Sequence, residues 1–239
     1  MGKSLVGPLA LFMMMTASVG SAQTRNTLDE PIAAFSVPSP LPQCGMATAL
    51  LQLERAAHII FGFERPAECA AAKDWFPAGN GTTAVDLSGL NARQILDRLV
   101  QLAPEFQWRD MAGIAVIRAA AAWTDPADPL NAPAGPFTIN NGLASEGIAA
   151  ALRMPALNLS DRDPNAMSNQ RFSVSFTVGT MLEALNAVAG AHGGAVWYLG
   201  WVPAQVADGS DEFPPVDLVV RMFDKSGFSI GTAVRPLQH

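Results

Sequence analysis

Few residues in this chain are of a type and spacing that could do chemistry. Gly227-Phe228-Ser229-Ile230-Gly231 spells G-x-S-x-G, but a nucleophile elbow needs a helix after the serine, then an acid and a histidine. The residues that follow Gly231 hold no Asp or Glu, and Arg235-Pro236 does not suit a helix. The motif therefore reads as a Gly-flanked turn. His192 stands before Gly193 at the end of a helical pattern, where an imidazole complements the last carbonyls and glycine supplies the left-handed stop. His58 closes an earlier helix, and His239 is the third histidine, so a His-based metal site has too few ligands. Asp161, Asp163, Asp208, Asp211 and Glu212 form acidic loop clusters without EF-hand spacing and read as solvated charge. Trp108, Trp123, Trp197 and Trp201 could stack on a sugar, although their strand-like spacing favours a core role. No catalytic residue, metal-ligand set or cofactor motif emerges.

The remaining reactive pair is Cys44 and Cys69. Neither lies in a metal-binding spacing such as C-x-x-C. Two cysteines in an oxidising compartment most often form a disulfide, with two buried free thiols as the competing reading. The compartment follows from the N-terminus. Lys3, the apolar run from Leu5 to Ala17 and the small residues Gly20-Ser21-Ala22 have the order of a secretory signal peptide, with cleavage expected after Ala22. That run is too short to span a bilayer comfortably, and no later run approaches the length of a membrane helix. The destination is the bacterial periplasm or beyond, since Arg outnumbers Lys twelve to three and Ala is abundant, as in GC-rich bacterial genomes.

The elements that must position these residues draw on a chain of 239 residues that is 49% hydrophobic, which excludes disorder and leaves room for one large domain or two small ones. A net charge of −6 argues against a nucleic-acid binder. After a signal at 1–22, residues 23–43 form a Pro-rich arm. The spacing of Ala49, Leu50, Leu53, Ala56 and Ala57 predicts a helix from Met46, followed by a strand near Ile59–Phe63. Thr83–Leu87 is a second strand. Asn91 caps a helix with Ile95, Leu96, Leu99 and Leu102 on its apolar stripe, ended by Pro104. Phe106 and Trp108 open a hairpin that turns at Met111-Ala112-Gly113 and returns through Ile114–Ile117. Pro-rich residues 124–136 read as a linker between a module at 44–123 and a second at 137–239. In the second, Phe137–Ile139, a helix at Ala144–Arg153, a strand at Phe172–Val178 and a helix ending at His192 repeat the order. Ala195–Val202 then pairs with Val216–Met222. The alternation of Phe172, Val174, Phe176 and Val178 is the strongest strand signal and places that strand centrally beside a helix.

The halves overlay, with Val85-Asp86-Leu87 over Val174-Ser175-Phe176, Ile95–Leu99 over Met181–Leu185 and Trp108 over Trp197. The strands take an offset of 89 residues and the helix one of 86. The stretch Val85–Leu99, with Phe106-Gln107-Trp108 and Ile114-Ala115-Val116-Ile117, resembles the secretin and TonB N-terminal short domain over about residues 46–118, and the second half resembles it more weakly over 172–202. The resemblance implies a packing module that serves as a periplasmic interaction domain attached to an outer-membrane barrel or a secretin ring.

The expected fold is α+β: two small modules, each with a three- to four-stranded sheet packed by two helices. The expected function is non-catalytic binding of a cell-envelope protein, without nucleic acid or cofactor and with no transmembrane segment after signal cleavage; oligomerisation is compatible with it. Small open sheets leave unpaired edges, and the edge strand is expected in Ile114–Ile117 or Val216–Met222, with Ile114, Val116, Val216, Leu218 and Val220 as its candidate residues. The alternatives are a hydrolase-type enzyme using an inter-module cleft near His192 and residues 204–215, or a sugar- or ligand-binding module.

Overall fold

The computed structural model describes residues 27–41, 44–66, 69, 83–153, 156–157, 170–193, 195–201, 216–223 and 229–236. The signal, its cleavage point, the acidic clusters at 161–163 and 208–212 and the 204–215 loop lie outside them. The first half runs β1 (Ser36–Ser39), α1 (Met46–Ala57), β2 (Phe61–Glu64), β3 (Thr83–Asp86), α2 (Ala92–Leu102), β4 (Phe106–Met111) and β5 (Ile114–Ala119). After β6 (Pro133–Ala134), the second half runs β7 (Phe137–Gly142), α3 (Ala144–Leu152), β8 (Ala156–Leu157), β9 (Phe172–Phe176), β10 (Gly179–Thr180), α4 (Met181–His192), β11 (Val196–Trp201), β12 (Val216–Phe223) and β13 (Ser229–Pro236).

The fold is α+β. Three strands of the first half and four of the second enter one sheet, in the order β4-β5-β2-β11-β12-β13-β8. The halves meet where β2 and β11 pair in parallel, with Gly62, Phe63 and Glu64 opposite Trp197, Tyr198 and Leu199. Alternate residues of these strands point to opposite faces. Phe61, Phe63, Ala115, Ile117, Val196 and Tyr198 pack with Leu50, Leu53, Ile95, Leu96 and Leu99 of α1 and α2. Ile114, Val116, Trp197, Leu199, Val220 and Met222 pack instead with Ile148, Leu182, Leu185 and Val188 of α3 and α4. Each half therefore lends strand residues to the other's core.

Burial on both faces explains the unbroken apolar run Ile114-Ala115-Val116-Ile117. It also corrects the expectation for β9. A strand that alternates apolar and polar has one wet face, and β9 lies in a two-stranded ribbon with β7 rather than in the large sheet. It ends at Phe176, and Val178 is exposed. The Pro-rich stretch is likewise no free spacer: Leu130 is buried in the second core, and the Ala132 carbonyl accepts from the Met181 N–H.

Leaving aside the two-residue β6 and β10 and the eight-residue final strand β13, both halves read β-α-β-β-α-β-β. The second helix of each half, α2 and α4, begins at an offset of 89 residues, which corrects the 86 of the overlay. Asn91 and Thr180 are matching N-caps, each in a capping box with Gln94 or Glu183. Ile95, Leu96 and Leu99 then fall on Ala184, Leu185 and Val188, all fully buried. The strongest correspondence is polar. The Trp108 indole N–H donates to Asp97 Oδ1 at 2.8 Å, and the Trp197 indole N–H donates to Asn186 Oδ1 at 2.9 Å. Both partners, like both tryptophans, are 89 residues apart. One strand-to-helix hydrogen bond thus occurs in both halves.

Candidate functional site

Two features stand out from the apolar layers: a buried charge cluster and an open sheet edge. The cluster begins at Arg118, fully buried on β5, beside Glu64 at the end of the parallel neighbour β2. Arg118 Nε donates to Glu64 Oε2 at 2.5 Å, Nη1 donates to Asn131 Oδ1 at 2.9 Å, and Nη2 lies 2.6 Å from Asp128 Oδ1. Asn131 Nδ2 in turn donates to the carbonyls of Ala122 and Asp125, each at 2.7 Å. The guanidiniums of Arg109 and Arg118 lie 4.1 and 5.2 Å from the Trp123 ring centroid. One cation thus faces two carboxyls away from water, and burial pushes the Glu64 carboxyl up to about 7, although Arg118 opposes this. A carboxyl near 7 can mark a catalytic acid, yet Glu64 and Asp128 are 5% and 8% exposed and have no open face for a substrate. The cluster fastens the strap at 121–131 to the sheet.

The second feature is the edge strand β4, which ends the large sheet opposite the two-residue β8. In the described residues nothing pairs with its outer side, since β4 ends the sheet order. The Ala120 N–H donates to the Glu105 carbonyl and extends the β4–β5 ladder by one pair. Hydrogen-bonded pairs alternate along an antiparallel ladder. Gln107, Arg109 and Met111 therefore bond to β5, while Trp108 and Asp110 turn their N–H and C=O groups outward. Gln107, Arg109 and Asp110 are exposed, and Trp108 is half-buried. Asp110 is held by Arg93 Nη2 at 2.5 Å. Arg109 forms no ion pair among the described residues. Beyond the hairpin, Met111, Ala112 and Ile114 with Asn186, Ala187, Gly190 and Ala191 of α4 line a groove of about 510 Å³.

This placement corrects the sequence-based edge. Ile114 and Val116 lie on β5, which is paired on both sides by β4 and β2, and Val116 is fully buried. Val216, Leu218 and Val220 lie on β12, between β11 and β13. An edge strand needs one wet side, whereas the apolar run of β5 is buried against both cores. Cys44 and Cys69 form a disulfide with Cα atoms 5.6 Å apart. Ser229 begins β13, which runs on as a strand, so no helix follows the serine. His192 is buried at the end of α4 with its ring edge-on to Phe172, and Gly193 takes the left-handed conformation. Trp197 is core, Trp123 lies under the arginines, and the Trp201 side chain lies outside the described residues. In the described residues no group of three His, Cys, Asp or Glu side chains converges to hold a metal, and no helix is long and apolar enough to cross a membrane. Sequence reasoning missed Glu64, Arg118, Asp128 and Asn131. The readable signal was a charge closing each of two apolar strands. No protein-family model, curated protein or solved structure matches the chain.

Proposed function

We propose that this chain is an exported protein of the bacterial cell envelope that acts by binding another envelope protein, as a tandem of secretin-N-domain-like modules without catalytic chemistry. The observation that carries the reading is the outer side of β4, unpaired among the described residues, on a six-residue strand at the end of a sheet whose inner strands are all paired. Such an edge offers main-chain donors and acceptors to an added strand. The twice-repeated β-α-β-β-α-β-β order supports the tandem, and the Cys44–Cys69 disulfide supports an oxidising compartment.

The test places a photo-crosslinking amino acid at exposed Gln107 in the full chain, expressed in a bacterial envelope, with Thr138 on β7 as the control position. A defined envelope protein captured from Gln107 and not from Thr138 is the expected result. Equal capture from both, or none, removes the reading. Export is checked separately by N-terminal sequencing: the mature chain is expected to begin at Gln23, and a product beginning at Met1 counts against it.

A further inference from the structure

The join between the two halves contains a counterpart of the β4 edge. In the second half, the strand that corresponds to β4 is β11, 89 residues on, and its outer side is filled by β2. The Arg65 N–H donates to the Leu199 carbonyl at 2.8 Å. In a parallel ladder this turns the main-chain groups of Trp197 and Leu199 toward β2. Their counterparts are Trp108 and Asp110, the residues that the β4–β5 ladder leaves facing outward. The two ladders give the same phase independently.

The side chains match as well. Gly62 lies opposite Trp197, and a Cβ there would stand inside the indole. Under that glycine Trp197 is fully buried, whereas Trp108, with the same hydrogen bond to its own helix, is half-buried. At the next position β4 has the exposed Arg109 where β11 has Tyr198, and two residues on, Met111 borders the groove between the hairpin and α4 on the same face as Arg109.

We propose that the β4 edge binds an extended segment of a partner protein in parallel, in the manner of β2 on β11, with glycine opposite Trp108, a carboxylate opposite Arg109 and an apolar side chain opposite Met111. This rests on the interaction reading above and names the chemistry of its partner. The sequence pattern is Gly, Asp or Glu, any residue, then Leu or a similar residue.

The probe is a fluorescent peptide, acetyl-Thr-Val-Thr-Gly-Glu-Thr-Leu-Thr-amide, titrated against the full mature chain by anisotropy. Saturable binding is expected. Replacing the peptide's glycine by valine should weaken it at least tenfold, because the added side chain meets Trp108. Arg109→Glu should weaken the parent peptide at least tenfold and restore binding when the peptide's Glu is changed to Lys, with the circular dichroism unchanged. Restoration by the swapped charge separates recognition from a loss of fold. Absence of saturable binding, equal binding of the glycine and valine peptides, or an Arg109→Glu variant that binds as wild type would each overturn the proposal. A stable dimer in sedimentation that Arg109→Glu disperses would also overturn it, since a second copy then occupies the edge. If Gln107 crosslinks an envelope protein while these peptides fail, this inference falls and the interaction reading stands.

Discussion

Glu64 is the residue at which burial and charge conflict most openly. Removal from water raises its carboxyl from 4.5 to about 7, Arg118 pulls it down, and the neighbouring Asp128 adds to the rise. The folded state therefore holds the proton more tightly than the unfolded chain. The associated stability is fully present below about pH 4.5 and is lost as pH rises through 7. Urea unfolding at pH 5 and pH 8 measures it, with Glu64→Gln as the reference. Wild type should lose stability relative to Glu64→Gln on going to pH 8. A constant difference between the two proteins at both pH values would show that Glu64 is ionised in the folded state throughout.

Among the elements, β2 and α4 contain glycines with opposite requirements. Gly62 on β2 lies against the Trp197 indole, so Gly62→Ala must push apart two strands that carry the join between the halves. A loss of about 1–3 kcal/mol is expected from overpacking of this kind. Gly190 on α4 is exposed, and a Cβ there would meet only Ile114 Cδ1, at 3.7 Å, an ordinary contact. Gly190→Ala should stabilise by about 0.5–1 kcal/mol through helix propensity. Thermal unfolding of the two variants checks both signs. A harmless Gly62→Ala would mean that β2 and β11 are not packed at that register.

For the whole molecule, the shared sheet and exchanged core residues tie the halves into one structural unit. Residues of β5 complete the second core and residues of β11 complete the first. Unfolding of the oxidised chain should be a single transition by calorimetry, and residues 44–123 expressed alone should lack a stable fold, because β2 then keeps β5 but loses its second partner β11, and the first core loses Val196 and Tyr198. Two resolved transitions would assign the halves separate stabilities. The disulfide acts on the first half. Cys44 and Cys69 are 25 residues apart, and replacing both by Ala should cost on the order of 3 kcal/mol in the chain-entropy account. Urea unfolding of the double variant measures this loss.

Local residue pattern by itself determined most helices and strands, but not β1, which lies inside the Pro-rich stretch, or β13, which begins inside the stretch read as a turn. Asn91 as an N-cap, the Leu and Ile stripe of α2 and the turn at Met111-Ala112-Gly113 each state their own geometry within a few residues, and the fold contains them all. The α+β class follows from those elements. Only the tertiary structure decided which strand is an edge, that the halves share one sheet, and that Arg118 has two carboxyls around it. Periodicity records how a strand is buried but not by whom. The run from Ile114 to Ile117 and the alternation from Phe172 to Phe176 were both legible as strands. Their central and peripheral places depend on pairings such as Gly62 with Trp197, in which distant residues meet because one has no side chain and the other a very large one.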